Sequence, residues 1–246
     1  MTKVCVITYL YGGYDNLNDI AQSVDADYYC FTDNILLQSN TWKIIYEPYN
    51  NLVKYFKDKH YINQNLKSLM QVSISKYTNF YIKQKYDYYI KVDANVKIIN
   101  KDLIKICIQN LKSCDAEILY SRHSLGSFSN DLNLSKTMSV YQNTNFKKLL
   151  NDMNEKCELY NKNFDNMHIW NGFSVMTYNC YKNFKIDELM YINYEKYVLK
   201  GSPTKPQGQL FEYLYILENK FKFILINDIY NDRKNTIING HLKKRL

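Results

Sequence analysis

The run Tyr88-Tyr89-Ile90-Lys91-Val92 is apolar and β-branched enough for a buried strand, and it ends in Asp93-Ala94-Asn95 before a second short β-like run begins at Val96. A buried strand that delivers carboxylate and amide oxygens to its carboxyl edge is how many α/β proteins hold a divalent metal and the phosphates on it. The competing reading is a plain turn between two strands. Other stretches show the same strand pattern. Val4 to Tyr9 is a continuous apolar run suited to a strand buried on both faces, and Gly12-Gly13-Tyr14-Asp15 breaks it. Asp27 to Thr32 and Trp42 to Tyr46 read as two further strands, with a short helix expected between the first two strands, from Leu17 to Gln22.

Helical periods appear from Asn63 to Lys76 and from Lys101 to Leu111. Ala116 to Tyr120 is strand-like, and Asn133 to Tyr160 is polar with scattered apolar positions, as in partly exposed helices. Gly172 to Tyr178 suits a strand, Gln207 to Glu218 a helix, and Phe221 to Asn227 a last strand. Strand and helix in alternation predict a mostly parallel central sheet with helices on both faces. With only 7 Gly and 3 Pro and no linker-like stretch, residues 1–246 are expected to form a single α/β domain.

The formal charge of +8 favours anionic partners, but the Lys residues are scattered and the nearest thing to a basic run is Lys243-Lys244-Arg245. A nucleic-acid partner is therefore not expected. The 25 Tyr and the many Asn, Lys and Ile match the bias of an AT-rich genome, so a bacterial or viral origin is plausible. None of the 6 cysteines forms a CxxC pair or a zinc-like spacing with His, which suggests a reducing, cytoplasmic setting. The opening run is too short for a signal peptide, and no apolar run approaches the roughly 20 residues of a membrane helix. Contact with the cytosolic face of a membrane remains compatible with the charge.

Three motifs could carry chemistry. Tyr9-Leu10-Tyr11-Gly12-Gly13-Tyr14-Asp15 follows the first strand at the edge where α/β folds bind ligands; it is either a ligand loop or a tight turn. It is not GxGxxG, so a dinucleotide fold is not indicated. Between Leu10 and Asn16 it holds no Lys or Arg, which counts against a nucleotidyltransferase. Asp33, just past the second strand, could accept from a base or ribose, or simply cap a turn. In Asp93-Ala94-Asn95 the second polar member is an amide, which ligates without adding charge.

Thr8 to Asp15, Asp27 to Asn34, Trp42-Lys43-Ile44 and Tyr86 to Ile98 follow, in order and spacing, a group of glycosyltransferase-like domains of plants, bacteria and large viruses. That group, long a domain of unknown function, resembles GT-A-type (Rossmann-like) nucleotide-sugar transferases. The resemblance covers about the first half of the chain and implies that residues of about 1–125 bind the nucleotide sugar, with about 126–246 forming the acceptor side and tail. It implies a metal-dependent hexosyl- or pentosyltransferase of glycan biosynthesis. Such an enzyme would use Mn²⁺ or Mg²⁺ with a UDP- or GDP-sugar donor and a glycan, lipid-linked or protein acceptor. Thr8, Tyr9 and Tyr14 would border the nucleotide and Asp33 the base or ribose; Lys67 would meet the diphosphate or sugar. His123, after Arg122, would lie near the donor sugar, and Asp93 and Asn95 would hold the metal with a late His241, while Lys243 meets a phosphate.

The family's late Arg-Asp-Gln-Leu run is replaced here by Gln207-Gly208-Gln209-Leu210. Gln209, with Trp170 and Asn171, is a candidate for the acceptor side, although a Trp is more often a core residue. Asp187, Glu188 and Glu212 are the candidates for a catalytic base if the enzyme inverts; a helical Glu such as Glu212 is more often solvated. The neutral Asn95 and the missing Arg-Asp pair motivate the alternative, a catalytically inactive nucleotide- or glycan-binding module.

Overall fold

The computed structural model describes residues 2–13, 15–47, 82, 84–123, 126–137, 145–159, 168–184, 208–227 and 236–238. Strands β1 (Val4–Leu10), β2 (Ala26–Thr32), β3 (Lys43–Tyr46), β4 (Tyr88–Val92), β6 (Ile118–Arg122), β7 (Ile169–Thr177) and β8 (Phe223–Ile226) form a seven-stranded sheet in the order β3-β2-β1-β4-β7-β6-β8. All pairings are parallel except those of β7, which runs antiparallel between β4 and β6. The expected mostly parallel α/β sheet is present. Every residue of β1 is buried, as a central strand covered on both faces requires.

Helices cover both faces. Val4, Val6 and Leu10 share one core with Leu103, Ile104, Cys107, Ile108 and Leu111 of α1 (Leu103–Ser113). Cys5, Ile7 and Tyr9 share the other with Phe146, Leu149, Met153 and Cys157 of α3 (Phe146–Leu159), and with α5 (Gly208–Glu218). Helices α2 (Phe128–Thr137) and α4 (Tyr178–Asn183) complete the described set. Within α5, five successive residues, Tyr213 to Leu217, are buried, so this helix is packed on more than one side.

The helix expected from Leu17 to Gln22 does not form; the segment is irregular. Tertiary hydrogen bonds outweigh its local pattern. Asn18 Nδ2 donates to the Ala94 carbonyl at 2.8 Å, Trp42 Nε1 donates to the Asn18 carbonyl at 2.9 Å, and Gln22 Oε1 accepts from Ile104 N–H at 3.1 Å. These bonds tie the segment across the sheet end and use the groups a helix would turn elsewhere. The helix expected from Asn63 to Lys76 lies outside the described residues.

Burial pushes the thiols of Cys30 and Cys107 up to about 12, and raises Cys5 and Cys180 further. Those buried cysteines are apolar packing groups, whereas Cys114 is exposed. Apart from the main sheet, β5 (Val96–Ile98) pairs antiparallel with β9 (Thr236–Ile238), with Val96 opposite Ile238. The sequence pattern did not announce β9. Its pairing carries the chain to the turn at Asp93-Ala94-Asn95.

Candidate active site

Because β7 runs against β4, its first half lies beside the carboxyl end of β4, with Val92 opposite Phe173. That edge opens into a cleft lined by Tyr9, Lys91, Val92, Asp93, Asn171, Ser174 and Glu212. Asp93 sits in a turn that its own carbonyl closes by accepting from Val96 N–H at 2.9 Å, while Asp93 N–H donates to the Gly172 carbonyl at 2.8 Å. The backbone is thus pinned from both sides, and the half-buried Asp93 lines the cleft. Ala94 is buried in the core, and Asn95 is buried as well.

Behind Asp93 lies a polar row in an otherwise apolar sheet face. Lys91 of β4 is opposite Ser174 of β7, which is opposite Tyr120 of β6. Glu212 comes down from α5 to meet it, and the Tyr120 hydroxyl donates to Glu212 Oε1 at 2.6 Å. Glu212 is only 3% exposed and Lys91 only 5%. The solvated-helix expectation for Glu212 is therefore overturned: α5 is packed on more than one side, and Glu212 points to the sheet. The Lys91 ammonium sits over the rings of Tyr181 at 5.5 Å and Phe184 at 5.7 Å, a cation–π setting that helps hold a buried charge.

Upstream, Tyr9 lines the cleft and stacks on Phe31, ring centroids 5.7 Å apart. Burial raises its phenol well above the ordinary range, so it stays a neutral hydroxyl. Thr8 is fully buried on the opposite side of β1, with no hydrogen-bond partner for its Oγ1 among the described residues. Gly12 and Gly13 both take positive φ, 65° and 60°, which side chains disfavour. Gly12 N–H donates to both carboxylate oxygens of Asp33, at 2.9 and 3.1 Å. Asp33 therefore anchors the loop after β1. Tyr14, Lys67, Asp187, Glu188, His241 and Lys243 lie outside the described residues.

On the far side, Gln209 joins three elements. Its Oε1 accepts from Asn171 N–H at 3.2 Å and its Nε2 donates to Asp131 Oδ2 at 3.3 Å. Fully buried His168 places Nε2 3.4 Å from the same Asp131 oxygen, and its ring lies 4.4 Å from that of His123. His168 and Asp131, 37 positions apart, were not among the sequence candidates, and no local pattern links them. The β6–β7 pairing shifts register between Tyr120 and Ser121, so the Asn171–Phe173 stretch is bulged beside the cleft.

Trp170 takes a core position, 7% exposed, in the cluster on the sheet face away from Tyr9. It depends on Gly172: a Cβ there would overlap the Trp170 indole. Gly172→Ala is expected to cost about 1–3 kcal/mol, the usual range for overpacking. Urea unfolding should show a lower midpoint with an unchanged slope; a wild-type midpoint would mean that the indole moves aside freely.

No protein-family model matches the chain, and no curated protein sequence matches it. Among solved structures, it is similar to mouse xyloside xylosyltransferase 1 in its apo form, with a TM-score of 0.47 and 8% identity over 93% of this chain and 87% of that one. It is also similar to the galactosyltransferase LgtC in complex with donor and acceptor sugar analogues, with a TM-score of 0.49 and 12% identity over 92% of this chain and 74% of that one. An active-site mutant of LgtC aligns with a TM-score of 0.49 and 10% identity over the same shares. At such scores and identities these likenesses specify neither donor, acceptor nor metal.

Proposed function

We propose that this chain is a glycosyltransferase that moves a sugar from a nucleoside-diphosphate donor to a glycan, lipid-linked or protein acceptor. The observation that carries this reading is Asp93 on a pinned turn at the carboxyl edge of β4, opening into a cleft with Tyr9, Asn171 and Glu212. Ligands of open α/β sheets bind at that edge. The Gly12-Gly13 loop, clamped by Asp33 just past the neighbouring strand β2, gives backbone a close approach to the same edge.

For a divalent cation, Asp93 would supply a charged oxygen donor and Asn95 a neutral one. Among the described residues no group of three His, Cys, Asp or Glu could hold a metal. The β5–β9 pairing bears on the rest of the set: Ile238 lies opposite Val96, and His241 is three residues further on. Asp93, Asn95 and His241 would hold the ion, which supplies positive charge to the leaving diphosphate. Lys243 would add a point charge for phosphate. Among the described residues no helix is long and apolar enough to cross a membrane.

A thermal-shift panel of UDP- and GDP-sugars, with and without Mn²⁺, tests the proposal. A donor at a hundred times its Kd stabilises by about 2.7 kcal/mol, and the shift should grow with Mn²⁺. A panel without any shift refutes the reading. Binding without release of nucleoside diphosphate would instead select the inactive binding module, for which the neutral, buried Asn95 is the motivating observation.

A further inference from the structure

Asp131 stands in the first turn of α2, where helix N–H groups favour a carboxylate, and it is only 7% exposed. It is not among the residues that line the cleft. Its Oδ2 is nonetheless where two side chains meet. Gln209 Nε2 donates to it at 3.3 Å, and His168 Nε2 lies 3.4 Å from it. An ionised carboxylate only accepts, which assigns the His168 proton to Nε2. The other ring nitrogen, Nδ1, is buried with no hydrogen-bond partner among the described residues. Asp131 is thus the described group that orients this ring by hydrogen bonding.

Both contacts continue toward the site. Gln209 Oε1 accepts from Asn171 N–H at 3.2 Å, and Asn171 lines the cleft. The next residue, Gly172, offers its carbonyl to Asp93 N–H at 2.8 Å. The His168 carbonyl accepts from His123 N–H at 3.0 Å, just past β6. Asp131 therefore stands behind the start of β7, at the bulged stretch, and hydrogen bonds lead from it to the turn that carries Asp93. Burying a carboxylate costs free energy, and an apolar residue would fill the place without that cost. What the carboxylate supplies is direction, because one oxygen fixes a side chain of α5 and a ring at the start of β7 together. We propose that Asp131 is a positioning residue for sugar transfer: by holding Gln209 and His168 it sets Asn171 and the backbone behind Asp93. The assignment rests on the nucleotide-sugar reading. Asp131 touches no reacting atom, but a misplacement of about 1 Å that starts far from the chemistry can cost about a hundredfold in rate.

The test measures release of nucleoside diphosphate from UDP- and GDP-sugars with Mn²⁺, as a function of donor concentration. It uses the full chain at a temperature where circular dichroism shows each variant folded. For the donor that wild type turns over fastest, Asp131→Ala should lower kcat about ten- to a hundredfold and leave KM little changed. Asp131→Asn keeps an acceptor oxygen at the shared position and should recover most of the rate. A merely structural role would lower the melting point of Asp131→Ala and leave kcat of the folded protein alone. His168→Phe keeps a ring against His123 and Phe128 and removes one of the two contacts to Asp131, so it should lose a smaller part of kcat. A kcat within about twofold of wild type in Asp131→Ala, or in His168→Phe should the first variant not fold, overturns the assignment and leaves the nucleotide-sugar reading standing. Equal losses in Asp131→Ala and Asp131→Asn overturn it as well, because the shared oxygen would then be irrelevant. A wild-type chain that releases nucleoside diphosphate from none of these donors overturns both readings.

Discussion

Asp93→Ala is expected to lower donor turnover by at least about a hundredfold, the usual loss when a group that stabilises developing charge is removed. The fold should survive. The bonds that pin the turn, Asp93 N–H to the Gly172 carbonyl and Val96 N–H to the Asp93 carbonyl, belong to the backbone and remain in the variant. The loss is therefore confined to the carboxylate, and the melting transition should stay close to that of wild type. Asp93→Asn keeps an oxygen but removes the charge, and its activity should fall between the two. The measurement is release of nucleoside diphosphate from a UDP- or GDP-sugar panel with Mn²⁺; wild-type rates in Asp93→Ala would remove this residue from the site.

How much of this was legible in the sequence follows from which forces are local. β1 and nearly all of β4 are buried, and burial on both faces writes itself as a largely apolar run, whereas β2 is buried only from Cys30 to Thr32. The acidic ends of those runs, Asp33 and Asp93, were equally visible, although the partner of Asp33 in Gly12 was not. The direction of β7 left no mark, because an antiparallel strand in a mixed sheet has the same alternation as a parallel one. Without that direction the sequence could not bring Asn171 and Ser174 to the cleft beside Asp93. Glu212 was named as a candidate base with a solvated helix position as the competing reading; the run Tyr213 to Leu217 was the signal that α5 is packed on more than one side. Lys91 was overlooked, although a Lys two residues before Asp93 shares its strand face by simple alternation. The Asp131–His168–Gln209 contacts join distant parts of the chain and leave no periodic trace.

Lys91→Met should destabilise the chain more than any other single change considered. Lys91 and Glu212 are both almost fully buried and line the same cleft. Both also act on the Cys180 thiol, which is pushed up by burial and Glu117, pulled down by Lys91 and pushed up by Glu212. Removing one member of a buried charge pair leaves the other uncompensated, which typically costs about 3–5 kcal/mol. Met fills the same slender volume against Tyr181 and Phe184, so lost packing contributes little. In Lys91→Met/Glu212→Gln the stranded charge is gone, and most of the loss should be recovered. Urea denaturation of wild type, both single variants and the double variant measures this coupling directly. Strictly additive losses would mean that the two charges are held by separate partners and that the cleft floor is not one network. A strongly positive coupling would show that Glu212 owes its place in the cleft to Lys91 as well as to Tyr120.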